Sequence, residues 1–311
     1  MSILLLISAT IVLLLTFGVV IASHRTMQRL RPSPRREEYI AQITRLLTRH
    51  EPLNIKARSR RSRMALAEAI YIVVSHTYGS NNTPLRSLVE QTHLDRFIMR
   101  RLRFARGAQR ARLLMMMSAL PPCRYSAEHF SLYAHSRDSD IRISALCLTL
   151  AINPTLAIRS IAQLEYALTP YDIARIVALL RRGILPIAYE PLLASENRNL
   201  RMLGLAIVRS FSIEIAERQL HNIIVKESDH ALVSETIYTL ASLSRPLHHA
   251  RIRDRVEQMN ATERKSLCRH LSAEGYSLPA VRGLFSEEES SYAETLINSY
   301  KRALARTTTI A

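Results

Sequence analysis

The hydrophobic pattern divides the chain in two. From Met1 to Ser23 no residue is charged, and Ile3 to Ala22 is a run of 20 largely apolar residues. That is the length a helix needs to cross a bilayer core. Ser8, Thr10, Thr16 and Gly18 interrupt it no more than a spanning helix tolerates. The run is apolar all round, unlike a helix that lies on a soluble core. A cleaved signal peptide is the rival reading, with Val20 and Ala22 at the −3 and −1 positions. Against it, no Lys or Arg precedes the run, and the run is longer than a usual signal core. The expectation is a retained transmembrane anchor over residues 1–23.

Beyond the anchor the polar and apolar positions follow helical spacing. Arg31-Pro32-Ser33-Pro34-Arg35-Arg36 reads as a linker, because closely spaced prolines block a helix. Glu37 to His50 reads as a helix, with Ile40, Ile43, Leu46 and Leu47 on one face. Short breaks then recur, at Gly79 to Asn82, Gly107, Pro121-Pro122, Asn153-Pro154, Thr169-Pro170, Gly183 and Pro186. More fall at Glu196-Asn197, Ser228-Asp229, Pro246, Asn260 and Gly275. The intervals fit one or two helices each. No strand-like alternation and no Asn-Gly or Asp-Gly hairpin turn is found. Ile143, Leu146, Cys147 and Leu150 form one apolar stripe, and Ile141, Ala145, Leu148 and Ile152 a second on the same segment. A helix apolar on two faces is sandwiched between neighbours. Val233, Ile237, Leu240 and Ala241 form another such stripe, and Asn199 and Asp229 are candidate helix caps. The fold expected is all-α.

The helices also carry an internal period. With Arg142, Arg201 and Leu232 taken as equivalent, the separations are 59 and 31 residues, the first about twice the second. Positions one step to either side fall near Arg110 to Arg112, Asp172 to Arg175 and Glu263 to Lys265. Helix pairs recurring at such intervals signal an α-solenoid. The segments Asp140-Ile-Arg-Ile-Ser-Ala145 and Asn199-Leu-Arg-Met-Leu-Gly204 resemble the second helix of a HEAT (armadillo-type) repeat. In them an Asp or Asn stands before an Arg, with a small residue three positions after the Arg. Asp229 to Thr236 lacks the arginine. The resemblance covers residues 60 to 300. It implies that Asp140, Arg142 and Arg201 are structural residues between adjacent repeats. The organisation expected is an anchor (1–23), a basic juxtamembrane linker with the first helix (24–63), a HEAT-like α-solenoid (64–305) and a tail (306–311).

Charge adds a location. The formal net charge is +17, and up to Arg112 there are 20 Lys and Arg against 6 Asp and Glu; the rest of the chain holds 23 and 20. Arg25, Arg29, Arg31, Arg35 and Arg36 follow the anchor and no basic side chain precedes it. Basic flanks stay in the cytoplasm. The main domain is therefore expected on the cytoplasmic face, with the N-terminus outside; a bacterial inner membrane is the expected setting. The three cysteines, Cys123, Cys147 and Cys268, are far apart, which suits a reducing compartment rather than a disulfide framework. Arginine outnumbers lysine 39 to 4, and guanidinium suits phosphate, although codon bias produces the same ratio.

Chemistry is harder to find. No GxGxxG, P-loop, HExxH or GxSxG motif occurs. His248-His249 reads as a surface pair, Cys147 as an inert core thiol and Met115 to Met117 as core. Glu287 to Glu289 suits a helix N-terminus. No cofactor, metal or small-molecule substrate is implied, and no enzyme. The informative polar feature is basic. Lys56 to Arg63 includes Arg58, Arg60, Arg61 and Arg63; Arg96, Arg100, Arg101, Arg103 and Arg106 follow, with Arg110 and Arg112, interleaved with Phe97, Leu102 and Phe104. On a continuous helix Phe97, Arg101 and Phe104 share one face and Arg96, Arg100 and Arg103 another. Such a segment contacts anionic lipid, phosphate or an acidic partner, or is a packed helix with a solvated outer face.

These features lead to a membrane-anchored, HEAT-like, non-enzymatic scaffold for a protein partner. The alternatives are a basic, DNA glycosylase-like nucleic-acid-binding protein and an accessory subunit of a membrane enzyme. Against the nucleic-acid reading, the chain has no tryptophan and no carboxylate placed for glycosylase chemistry.

Overall fold

A computed structural model describes residues 34–49, 55–77, 83–121, 125–184, 188–273 and 283–308, and every regular element among them is helical. No helix among the described residues is long and apolar enough to cross a membrane. The anchor expected at residues 1–23 lies outside the described residues, as does Cys123. Two compact units divide the chain after Arg124.

The first unit opens with α1 (Pro34–Arg49), which buries Tyr39 and Ile43. The expected linker through Arg36 is thus already helix from Pro34 onward. Proline is tolerated there because the first helical N–H has no intrahelical partner in any case. Ser59 caps α2 (Arg60–His76), its hydroxyl accepting from the Ser62 N–H at 3.0 Å. The last four residues of the basic run are therefore the first turn of α2. Leu66, Ile70 and Val74 of α2 are buried. Three helices follow: α3 (Thr83–Thr92), α4 (Leu94–Leu102) and α5 (Gly107–Ser118). α2 packs on α1, α4 and α5, and α4 packs on α3 and α5. Gly107, at φ +49°, makes the turn into α5. Met116 and Met117 are buried in α5. Glu68 of α2 ties neighbouring helices together, facing Arg36 of α1 at 3.9 Å and Arg112 of α5 at 3.0 Å.

The second unit begins with α6 (Glu128–Ser131), which continues into a 3-10 turn. Next come α7 (Ser139–Ile152), α8 (Pro154–Ala162), α9 (Pro170–Leu179), α10 (Glu190–Leu193) and α11 (Arg198–Ser210). Then follow α12 (Glu217–Lys226), α13 (His230–Ser242), α14 (Ala250–Glu257), α15 (Ala261–Ala273) and α16 (Glu287–Thr308). A π-helical turn, Leu180–Ile184, extends α9. In the series α7, α9, α11, α13, α15, α16 each helix packs on the next. α6 and α8 flank α7, α10 flanks α11, and α12 and α14 flank α13. The series helices carry the core. In α7, Ile141, Ile143, Ala145, Leu146, Cys147, Leu148 and Leu150 are all buried, so the two apolar stripes are covered from two sides.

One device starts these helices. Asp138, Thr169, Asn197, Asp229 and Asn260 stand at the N-termini of α7, α9, α11, α13 and α15, spaced 31, 28, 32 and 31 residues apart, each accepting from a first-turn N–H. Four residues after the cap, Arg142 donates to the Ser136 carbonyl at 3.0 Å and Arg201 to that of Ser195. Arg264 donates to the Met259 carbonyl. In the first unit, Arg63 donates to Ala57 at 3.1 Å behind the cap Ser59. A hydrogen bond to a charged donor contributes about 1.5–3 kcal/mol net when it is shielded. Two details correct the sequence reading. The cap of α11 is Asn197, not Asn199. Asn199 instead accepts from the Leu168 N–H at 2.8 Å and donates to the Tyr166 carbonyl at 2.9 Å, in the segment before α9. The position in α13 equivalent to Arg142 and Arg201 is Val233, one past Leu232. There Arg255 of α14 supplies the missing donor, to the Glu227 carbonyl.

Successive series helices are then cross-linked by charge. Arg175 of α9 reaches Asp140 of α7 at 3.9 Å and the Ser144 hydroxyl at 3.2 Å. Arg201 pairs with Glu227, and Arg198 with Asp229 at 2.8 Å. Arg209 pairs with Glu235, His230 bonds Glu263 at 3.0 Å, and Arg264 pairs with Glu289 at 2.7 Å. Arg142 stacks on the Tyr166 ring at 3.6 Å.

Two predictions follow from this packing. Replacing a mid-helix Gly by Ala ordinarily gains about 1 kcal/mol of helix propensity. At Gly204 the added methyl would meet Leu193 Cδ2 at 3.0 Å, Leu192 Cβ at 3.1 Å and the Leu193 backbone N at 3.2 Å. The backbone nitrogen cannot swing aside, so overpacking of about 1–3 kcal/mol wins. Gly204→Ala is expected to lower the thermal midpoint by about 3 °C in calorimetry. Glu289 is the second case. Burial opposes its ionisation, but Arg264 and the Ser286 N–H and hydroxyl outweigh that and hold its carboxyl below the ordinary range. A depressed folded pKa means stability that is present above the unfolded value, about 4.3, and lost as pH falls through the folded one. Denaturant titrations of the parent and Glu289→Gln should therefore differ at neutral pH and converge as the pH falls through the depressed folded value.

Candidate functional site

The excess of basic over acidic residues is concentrated up to Arg112, within the first unit. In α4, Leu94, Ile98 and Leu102 are buried at i, i+4 and i+8, which sets the helix's inward face. Arg96, Arg100 and Arg103 are exposed at i, i+4 and i+7, so they share a stripe pointing away from that face. Arg106, at the N-cap of α5, is exposed as well. The sequence reading placed Phe104 beside Phe97 and Arg101 on one helical face. α4 ends at Leu102, and the chain turns before that face can be completed. Phe104 stands in the turn at 86% exposure, the most exposed large apolar side chain among the described residues.

Folding joins the two basic stretches. The Phe97 ring is half-buried, and the guanidinium carbons of Arg101 and of Arg63 both lie 5.9 Å from its centroid. Arg101 belongs to the same helix as Phe97, four residues on; Arg63 comes from α2. Arg63 is thus doubly placed, by the Ala57 carbonyl and by the ring, and takes the same structural post as Arg142 and Arg201. Burial, and then the positive charge of Arg60, lower the pKa of Arg101. Arg58, Arg60 and Arg61 are exposed near the start of α2. Among the described residues none of Arg58, Arg60, Arg61, Arg96, Arg100, Arg103 and Arg106 lies in an ion pair. Arg112, by contrast, is committed to Glu68. The result is a set of exposed guanidiniums that form no ion pair among the described residues, suited to holding phosphate or carboxylate groups.

The sequence did not reveal the meeting of Arg63 with Phe97, because the two come from different helices. The pairing of Phe97 with Arg101 was legible as an i, i+4 spacing.

The other sequence candidates have structural placements. Asp140 is exposed and faces Arg175, while Arg142 and Arg201 bond the backbone before their own caps. Cys147 is fully buried, and burial pushes its thiol up to about 11. Cys268 is buried too, and its thiol is also raised, first by burial. Glu287, Glu288 and Glu289 occupy the first turn of α16. His248 and His249 stack at 5.6 Å between ring centroids, and His221 of α12 joins them edge-on at 5.3 Å from His249. Among the described residues no group of three His, Cys, Asp or Glu is disposed to hold a metal ion. A cleft of about 520 Å3 is lined by Arg253, Glu257, Arg264, Phe285 and Glu289; there Arg264 and Glu289 are already bound to each other.

Comparison of the chain with protein-family models, with curated proteins and with solved structures gives no match in any of the three.

The contrast between paired and unpaired arginines predicts different outcomes for one kind of substitution. Arg112→Gln leaves Glu68, 19% exposed, facing only Arg36 at 3.9 Å, and is expected to cost about 0.5–1 kcal/mol in urea titration. Arg101→Gln removes a like-charge neighbour of Arg60 at the expense of one weak ring contact. Its stability is expected to stay within about 0.5 kcal/mol of the parent and to show less gain from added salt.

Proposed function

We propose that this chain is a membrane-tethered, non-enzymatic scaffold, a HEAT-like α-solenoid that binds a protein partner at the cytoplasmic face of the membrane. The observation that carries the reading is the series α7, α9, α11, α13, α15, with caps about 31 residues apart and arginine links between neighbours. Helix pairs that contact only their neighbours build extended surfaces, and the common use of such surfaces is to bind other proteins. The placements of Asp140, Arg142 and Arg201, all tied to backbone or to a neighbouring helix, support the roles that the HEAT resemblance implies for them. The tether rests on the apolar run at residues 3–22 and the arginines that follow it. An accessory subunit of a membrane enzyme is the same proposal with an enzyme as partner. A second reading, nucleic-acid binding in the manner of HEAT-like DNA glycosylases, draws support from the exposed arginines of α2 and α4.

The test is affinity purification of the tagged full-length chain from detergent-solubilised membranes, with mass spectrometry and a nuclease-treated control. A near-stoichiometric protein that survives nuclease is the expected outcome. Recovery of nucleic acid alone would select the second reading. Recovery from the soluble fraction, with the first 22 residues missing, would overturn the tether.

A further inference from the structure

We infer that the arginine-rich face of the first unit is a docking surface for an anionic phospholipid bilayer, with Phe104 as the side chain that enters it. The inference rests on the tethered reading and specifies what the basic unit does there.

Three observations converge. Arg58, Arg60, Arg61, Arg96, Arg100, Arg103 and Arg106 have no ion pair among the described residues. Arg112, Arg198, Arg209 and Arg264, by contrast, each face a carboxylate. An unneutralised set of this size is complementary to a sheet of phosphate headgroups, which presents many anions at once and requires no sequence or shape. Second, Phe104 is 86% exposed and sits between Arg103 and Arg106 in the turn after α4. An exposed apolar ring flanked along the chain by exposed arginines matches the boundary between headgroups and acyl chains, with arginine at the phosphate level and the ring below it. Third, covalent geometry keeps the unit near the surface. Only residues 23–33 separate the apolar run from Pro34, a chain that spans at most about 40 Å. Tethering at that range raises the effective concentration of lipid at the face.

The same face is a poorer platform for nucleic acid. Proteins that hold single strands stack successive bases on exposed rings. Here Phe97 is half-buried with Arg63 and Arg101 both beside it, which leaves Phe104 as one exposed ring rather than a row.

The chain contains no tryptophan, so Phe104→Trp gives a single reporter at the point of insertion, on a side chain whose exposure makes the change harmless to packing. The full-length variant is reconstituted with bilayers of phosphatidylcholine alone and with bilayers that also contain phosphatidylglycerol. Indole emission, quenching by brominated acyl chains and flotation are then measured. In anionic bilayers the emission is expected to shift to the blue and to be quenched; in zwitterionic bilayers it should stay at the solvent-exposed value. Screening at about 1 M salt, where the Debye length is about 3 Å, should reverse the shift. Adding Arg100→Glu, Arg103→Glu and Arg106→Glu should abolish it. The matched change Arg218→Glu, Arg251→Glu and Arg253→Glu, at exposed positions of the second unit, should leave it intact. Circular dichroism confirms that both triple variants are folded.

The outcomes separate. A chain that floats with both bilayers but never shifts its emission overturns this inference and leaves the tether standing. A shift in anionic bilayers from a chain that floats only with them supports the inference and overturns the tether. A chain that floats with neither overturns both. An emission shift on adding an oligonucleotide, with none on adding anionic lipid, assigns the face to nucleic acid and overturns the inference.

Discussion

An arginine four residues into a helix, reaching back to a carbonyl just before the cap, organises much of this protein. The chain entering a helix leaves both donors and acceptors without partners: the first-turn N–H groups and the carbonyls of the approach. The cap side chain answers the first need, and the arginine answers the second. Ser59 with Arg63, Asp138 with Arg142, Asn197 with Arg201 and Asn260 with Arg264 are four instances of one solution. Because guanidinium carries five donors in a planar fork, one bond to the backbone leaves others free. In Arg201 and Arg264 these turn to Glu227 and Glu289 on the next segment. The group that starts a helix thereby also fixes its neighbour. Lysine, with a single ammonium on a flexible stem, would do either task but hold both less well.

That economy explains where the charge lies. Beyond Arg112 the chain has 23 basic and 20 acidic residues, and many of these meet as partners across the seams between successive helices. The first unit follows a different balance. Its central carboxylate, Glu68, already serves two arginines, and most of the remaining guanidiniums of α2 and α4 stay in solvent. The excess of positive charge is therefore concentrated at the start of α2 and along α4, where carboxylates are few.

The all-α fold was legible in the sequence because helical spacing and Pro, Gly and Asn breaks are local signals. The burial of α7 on two sides was legible for the same reason, since it needed only the two stripes around Ile143 and Leu148. The period was visible but out of register by one at Leu232, because Val233 carries no arginine to mark the post. Asn199 was misread as a cap because capping and bridging use the same side-chain chemistry; only the position of the preceding turn distinguishes them. The arginine face was half legible. The stripe Arg96, Arg100, Arg103 is written in the spacing. The exposure of Phe104 depends on where α4 stops. The meeting of Arg63 with Phe97 depends on how α2 packs against α4, and neither is a property of a short window of sequence.

The links in the second unit run from each series helix to the next and rarely further. Its behaviour under load follows from that. A domain with a long-range core breaks all at once, whereas a row of nearest-neighbour seams behaves like beads joined by clasps. Tension applied at one end opens the end clasp first, and each seam that yields lengthens the row without disturbing the seams behind it. Pulled from its ends, such a row would act as a compliant spacer, giving way in steps and re-forming in the reverse order.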